Sequence, residues 1–416
     1  MKKIILCLVV LIPASSMYAQ DIDYAPVRVE YTRLPLTPLP KTVKNYQVLI
    51  LADYLPKIQK QKADFQAQSA KGDSDFLAAM KQYEETNKQL SAAHEIALNV
   101  WFRLTPQQQA VTPKPVLTVL PVPVKPIMEE PVYERTFNTE LLATTNIKLE
   151  GFQRLPENAV IFQVNLSGYE SDEPKIGTQK KSQKGADGKS IEVDVFVYKF
   201  NYRHLFKVKI IQPDGKYLMD EVYGPTTDYV AYTSKDFPTQ AELETWWKLN
   251  KGMEAGRIQE TIVNNQLKLF NNYINNQYGY VNASRNVTLA FVDEKTLYDD
   301  IKEGMNHAKN GYAVIGKQIT YAQGEDYLKK AIDKWETALK ESNPKNKKAR
   351  IDEDVTEMLL MNIAEAYVWL NEFTRAQENI TRAQAFKMSS KERALVAGIK
   401  SFLTDQNARF TANQGL

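Results

Sequence analysis

Seven prolines stand between Pro106 and Pro131, most of them in the run TPKPVLTVLPVPVKPIMEEP. A proline has no backbone N–H and its ring locks φ, so neither a regular helix nor a central strand passes through such a run. Segment 113–136 therefore reads as extended, polyproline-II-like chain. From Pro113 to Pro131 it reaches on the order of 60 Å at about 3.1 Å per residue. It is either a linker between domains or, given its Val and Leu filling, a strip lying along a domain surface.

The chain ahead of it changes period. Phe76, Met80, Tyr83, Asn87, Leu90, His94, Ala97, Trp101 and Leu104 alternate spacings of four and three, a heptad seam. A preceding helical stretch, Ile58 to Ala70, runs into KGDSD, where Gly72 is a stop signal and Asp73 or Ser74 a start signal. These signals predict a helical hairpin over 57–104. Asn87 and His94 on the seam are either a polar register device or a sign that the helix is rotated so that Ile96 and Val100 share the buried face. The second reading is preferred.

The first 19 residues stand apart. MKK, then the apolar run IILCLVVLIPA, then a small residue at Ala19, form a secretory leader pattern too short to span a membrane. Export to a bacterial periplasm or association with the outer membrane is the expected localisation. Cys7 is the chain's only cysteine, so the segment after the leader has no disulfide or thiolate chemistry. Removing Lys2 and Lys3 with the leader leaves 51 basic against 50 acidic residues. That balance argues against a nucleic-acid partner, and no later apolar run is long enough for a transmembrane segment.

Residues 137–236 alternate apolar and polar, with turn signals at Asp214-Gly215 and Asp187-Gly188, and read as an antiparallel β domain. Two stretches resemble each other: VEYTRLPLTPLPKTVKNYQVLILADY (29–54) and LEGFQRLPENAVIFQVNLSGY (149–169). They read as two copies of one β unit with different insertions after Tyr54 and Tyr169. Arg33 and Arg154 are then expected to satisfy carbonyls or a carboxylate at a strand end. Residues 237–293 read as one long helix, started by a capping box of Thr239 and Glu242, feeding the single strand NVTLAFV.

The remainder, 294–416, is helical, and here a family pattern emerges. In NIAEAYVWLNEFTRAQENITRA, residues Ala364, Tyr367, Phe373, Ala376, Ile380 and Ala383 resemble the small and large positions of a tetratricopeptide repeat. YLKKAIDKWETAL, with Ala331, Trp335 and Ala338, resembles the second helix of an earlier repeat. SSKERALVAGIKSFL reads as a capping helix with Ser389 or Ser390 at its N-cap. The resemblance implies stacked antiparallel helices over 325–404 and a protein or peptide partner held on a concave face. Here Met358, Met361, Glu365, Val368 and Trp369 would line that face. The Lys and Asn set of the carboxylate-clamp variant is missing at these positions, apart from an off-face Asn362.

The expected fold is thus α+β and multidomain: a leader at 1–19, an N-terminal β segment with its helical hairpin at 20–112, the proline-rich segment at 113–136, antiparallel sandwich-like strands at 137–236, an α/β element at 237–293 and a tetratricopeptide-like end at 294–416. None of the common catalytic or phosphate-binding motifs occurs. Acidic runs at Asp299–Glu303 and Asp352–Asp354 suit helix starts. No cofactor and no metal is expected. The leading expectation is an exported, non-enzymatic scaffold or interaction protein. The alternative is a carbohydrate or cell-wall binder using Tyr198, Tyr202, Tyr223, Tyr229 and Tyr232 as an aromatic platform. A hydrolase of unrecognised type is the third.

Overall fold

The computed structural model describes residues 22–184, 189–292 and 297–414. The leader pattern and the Asp187-Gly188 turn lie outside them. The first half of the chain forms β1 (Ile22–Arg33), β2 (Asn45–Ala52), α1 (Leu55–Phe102), α2 (Pro106–Val111), α3 (Thr139–Asn146), β3 (Ala159–Ser171), β4 (Lys175–Lys184) and β5 (Ser190–Ile211). Then come β6 (Tyr217–Val222), β7 (Val230–Thr233), α4 (Gln240–Tyr278), β8 (Val281–Val292), α5 (Asp299–Val314), α6 (Tyr321–Leu339), α7 (Glu353–Trp369), α8 (Phe373–Ala383) and α9 (Ser390–Gln414). The protein is mixed α+β with a helical C-terminal region.

Contacts divide the chain into two units, both discontinuous in sequence. Unit 1 holds residues 1–46, 148–159 and 270–416; unit 2 holds 47–147 and 160–269. The consecutive boundaries expected near 112, 136, 236 and 293 delimit neither. The reason is a non-local strand pair: β1 runs antiparallel to β8 from Ile22↔Val292 to Arg33↔Val281, which ties the start of the chain to its last third.

In unit 1 the β1–β8 ribbon packs on α5 and α7. Arg28, Glu30, Asn282, Ser284 and Asn286 alternate outward, while Val29, Val287 and Leu289 are buried with Tyr298, Tyr312, Trp335 and Ile363. Helices α5 with α6 and α7 with α8 pair as successive neighbours. Every residue of α7 from Val355 to Trp369 is buried, as a helix apolar on all sides must be. Ala364 and Ala376 have no exposed surface. Ser389 caps α9 reciprocally with Glu392, at 3.3 and 2.6 Å.

The first Arg-Leu-Pro segment is held by the end of α9. Arg409, 2% exposed, donates to Leu34 O at 2.7 Å and to Asn276 Oδ1 at 2.6 Å, and Asn413 donates to Pro35 O at 2.9 Å. The carbonyl-satisfying role expected of Arg33 thus falls to Arg409, and Arg33 Nε is itself buried without a hydrogen-bond partner. Asparagines of α4 receive the second segment as a neighbouring strand would. Asn271 Oδ1 accepts from Lys148 N, and Asn275 bonds Glu150 N and Lys148 O, all at 2.6–2.8 Å.

In unit 2 the described strands make one sheet. β5 is its spine: β3 and β4 follow one another along one edge, β7 and β6 along the other, all antiparallel, and β2 lies beyond β3. Gly215, at φ 84°, closes the β5–β6 turn as its Asp-Gly pair predicts. The two similar stretches agree in their strands, since β2 and β3 are neighbours, but not in their entries. Glu30 and Arg33 lie in β1, whereas Glu150 and Arg154 flank a turn at Gly151, φ 84°.

The expected helical hairpin is a single helix. α1 runs unbroken through Lys71-Gly72-Asp73, and Ile58 is its one buried residue. Its partner is the proline-rich segment, which returns along it as a strap. Trp101 Nε1 donates to Thr112 O at 2.9 Å, His94 Nε2 lies 3.2 Å from Pro115 O, Asp73 pairs with Lys125 at 2.9 Å, and Lys62 sits over the Tyr133 ring. From Trp101 to Lys62 the helix descends about 59 Å at ~1.5 Å per residue. From Thr112 to Tyr133 the strap covers about 65 Å at ~3.1 Å per residue. The two lengths match, so an extended chain half as long in residues follows the helix throughout. Gly72, the weak point, faces Met128 and Pro126 across ordinary contact distances. The strap therefore supports the helix where its own sequence would let it end.

Candidate functional site

The face that the tetratricopeptide resemblance implies is covered. Met358, Met361, Glu365, Val368 and Trp369 are all buried, because the inner face of the chain's own ribbon lies against α7. Glu365 is central to that seal. Its carboxylate accepts from Arg285 Nε and Nη2, both at 2.9 Å, and from Trp369 Nε1 at 3.0 Å. Arg285, on β8, also stands 4.1 Å from the Phe402 ring. Burial alone would lower the guanidinium's pKa, but the carboxylate outweighs it and holds it raised. Asn362 pairs with both backbone groups of Ala290, at 3.1 and 2.7 Å, closing the free edge of β8. With its acceptors taken, Glu365 is a structural group, and the five residues are not an open partner surface.

The signal for this was present in the sequence. VTEMLLMNIAEAYVW is apolar on every side, which marks a central helix rather than one with a free face. Glu357 on the same helix is 3% exposed, and its Oε1 has no hydrogen-bond partner. Burial, then Glu392, Asp354 and Glu353, push its carboxyl up to about 7. Asp354 is likewise raised, by burial and then Asp352, whereas other acids of the two runs are paired. Asp300 binds Arg350, Glu303 binds Lys334, and Asp352 caps α7 through Val355 N.

The five tyrosines do not form one exposed platform. Tyr202, Tyr223 and Tyr232 are buried and Tyr198 is half-buried. Tyr198 packs on Trp247 of α4, Tyr232 on Phe200, and Tyr202 on Tyr169. Tyr232 also donates to Glu254 at 2.8 Å, and burial followed by that carboxylate raises its pKa. Tyr229 alone of the five is exposed, lying under the Arg203 guanidinium at 4.5 Å. Among the described residues no group of three or more His, Cys, Asp or Glu is placed to hold a metal ion, and no helix is long and apolar enough to cross a membrane.

What unit 2 does present is the α1–strap arm. All the seam residues from Phe76 to Leu104 are half-buried, while Ile96 and Val100 are exposed. The seam is therefore the strap-facing stripe, and the rotated-helix reading is overturned. On the strap Pro115, Leu120 and Pro123 are half-buried, whereas Val116, Val119, Val122, Val124 and Ile127 face solvent.

The arm's base is fastened by polar bonds. Tyr54 donates to Arg135 O at 2.8 Å, Arg135 N donates to Gln259 Oε1 at 2.7 Å, and Tyr169 N donates to Glu134 Oε1 at 2.5 Å. The same carboxylate lies 3.4 Å from Nε2 of the fully buried His204. Burial, with Glu134 adding, raises the Tyr54 hydroxyl well above its ordinary pKa, so it remains a donor. Gly168, at φ 125° in a bulge of β3, leaves room for this carboxylate, which a Cβ would meet at 3.4 Å. The tyrosines that end the two similar stretches thus converge on the foot of the strap. Comparisons of the chain with protein-family models, with curated proteins and with solved structures find no match.

Proposed function

We propose that the protein is an exported, non-enzymatic interaction protein of a bacterial envelope, with the α1–strap arm as the element that meets its partner. The observation that carries this reading is the arm's burial pattern. A helix of 48 residues with one buried residue, braced by a preformed extended strap, does not serve a core. It holds a row of aliphatic side chains in water, and large exposed apolar patches mark interaction sites. The leader pattern at 1–19 supports export. The tetratricopeptide-like end serves in this reading as a packed scaffold, its inner face occupied by the β1–β8 ribbon.

A photo-crosslinking amino acid at Val119, compared with one at Leu249 on α4, tests this in intact cells of the source organism. Both positions are well exposed. A reproducible adduct of protein or lipid from Val119, identified by mass spectrometry and not formed from Leu249, is expected. No adduct from Val119 would refute the arm as the docking element.

A further inference from the structure

The arm ends in a blunt apolar tip. Ile96, Val100 and Phe102 at the end of α1, Val111 of α2, and Val116 of the strap are each 58% to 86% exposed. These side chains come from three successive segments, so they form a protruding wedge rather than a groove. The charge on this stretch has one sign. From Ile96 to Met128 there is no Asp or Glu, and Arg103, Lys114 and Lys125 are basic. Lys125 is engaged by Asp73 farther down the arm, which leaves Arg103 and Lys114 as the basic charges of the tip, against one neighbouring acid, the exposed Glu95 beside Ile96. Lys114 lies over the Phe102 ring at 5.7 Å, and the half-buried Trp101 is tied to Thr112 O.

We infer that this tip docks on an anionic phospholipid surface. The inference rests on the arm being the docking element and adds the chemistry of what it meets. Aliphatic side chains, an adjacent Trp-Phe pair and flanking basic residues are the composition of segments that sink into the headgroup region. A bilayer closes around a convex wedge from all sides, whereas a protein partner would have to bring a matching pocket. A second copy of the tip is disfavoured, since like positive charges would meet. A negative surface complements Arg103 and Lys114, each worth about fivefold in partitioning near anionic lipid.

Flotation with vesicles tests the inference. The chain from Gln20 onward is used, because the apolar leader would itself enter lipid. Phosphatidylcholine vesicles with and without phosphatidylglycerol are compared at physiological ionic strength. The chain is expected to float with the anionic vesicles and to partition about 25-fold less onto the neutral ones. Neutralising the tip with Arg103→Gln and Lys114→Gln should cost the same roughly 25-fold on anionic vesicles. Val100→Glu with Val116→Glu should abolish flotation, while Leu249→Glu leaves it within about twofold, since Leu249 is equally exposed but lies outside the tip. Far-ultraviolet circular dichroism confirms that the variants remain folded, as substitutions at exposed positions allow.

No flotation with anionic vesicles, or flotation of the double Glu variant at the level of the parent, would overturn the inference. A protein adduct from Val119 without vesicle binding would remove the lipid and leave the arm as a protein-docking element. Absence of both adduct and flotation would remove both readings.

Discussion

Glu365→Ala separates a sealed helical face from an open one. On an open face the substitution would cost less than about 0.5 kcal/mol, as surface changes do. Here the carboxylate accepts two bonds from Arg285 and one from Trp369, at 2.9–3.0 Å, and its side chain is 5% exposed. Removing it strands a guanidinium between β8 and α7 with only a long contact to Gly398 O, 3.4 Å, and the Phe402 ring. Breaking a buried pair from one side costs about 3–5 kcal/mol. Arg285 retains some water, at 22% exposure of its side chain, so the lower end applies, about 3 kcal/mol. For a unit of this size that lowers Tm by roughly 6–12 °C.

Urea denaturation followed by tryptophan emission reads the loss, and Trp369 sits inside the perturbed cluster. Replacing both partners with apolar groups, Arg285→Met with Glu365→Leu, should restore most of the stability, because no charge is then left unpaired. A loss below about 1 kcal/mol for Glu365→Ala would match an exposed pair. So would a double variant as unstable as the two single losses combined, and either result would refute the sealed face.

Glu357 makes unit 1 sensitive to pH in the direction opposite to an ordinary paired carboxylate. Its carboxyl is raised to about 7, so its contribution is complete below the ordinary Glu range and is lost as pH rises through about 7. Glu357→Gln should therefore match the parent near pH 4.5 and exceed it by roughly 2–3 kcal/mol near pH 8, measured by denaturant titration at both values. Equal stabilities near pH 8 would contradict the burial assigned to this group. Ala376→Leu, at a position with no exposed surface, should cost about 1–3 kcal/mol through overpacking, read as a lower Tm. An unchanged Tm would mean that α8 does not pack where it is placed.

What the sequence disclosed was local. The Asp214-Gly215 turn, the Thr239 and Ser389 caps, the heptad seam and the extended proline-rich run are each set by a few neighbouring residues, and the structure keeps them. The errors share one cause. Gly72-Asp73-Ser74 is a true stop-and-start signal, but the strap braces α1 across it, and nothing in the local pattern announces the strap's path. β1 and β8 each look like strands, yet alternation alone does not say that residue 22 pairs with residue 292. Once that ribbon exists, it occupies the helical face that looked open. The apolar surround of α7 and the asparagines at 271 and 275 were readable as marks of a central helix and of a helix that receives a strand. Their meaning rests on partners far along the chain.

The docking role requires the arm to be one rod rather than a folded hairpin, and a distance measures that. Cys7 is the only cysteine, so the chain from Gln20 takes spin labels only where cysteines are introduced. Lys60→Cys and Glu95→Cys place labels at exposed positions on α1. Electron–electron resonance should give a single distance near 53 Å, from 35 residues at ~1.5 Å each. A hairpin turning at Gly72 would instead bring the labels to roughly 20 Å across helices ~10 Å apart, and that result would contradict the arm and the docking role built on it.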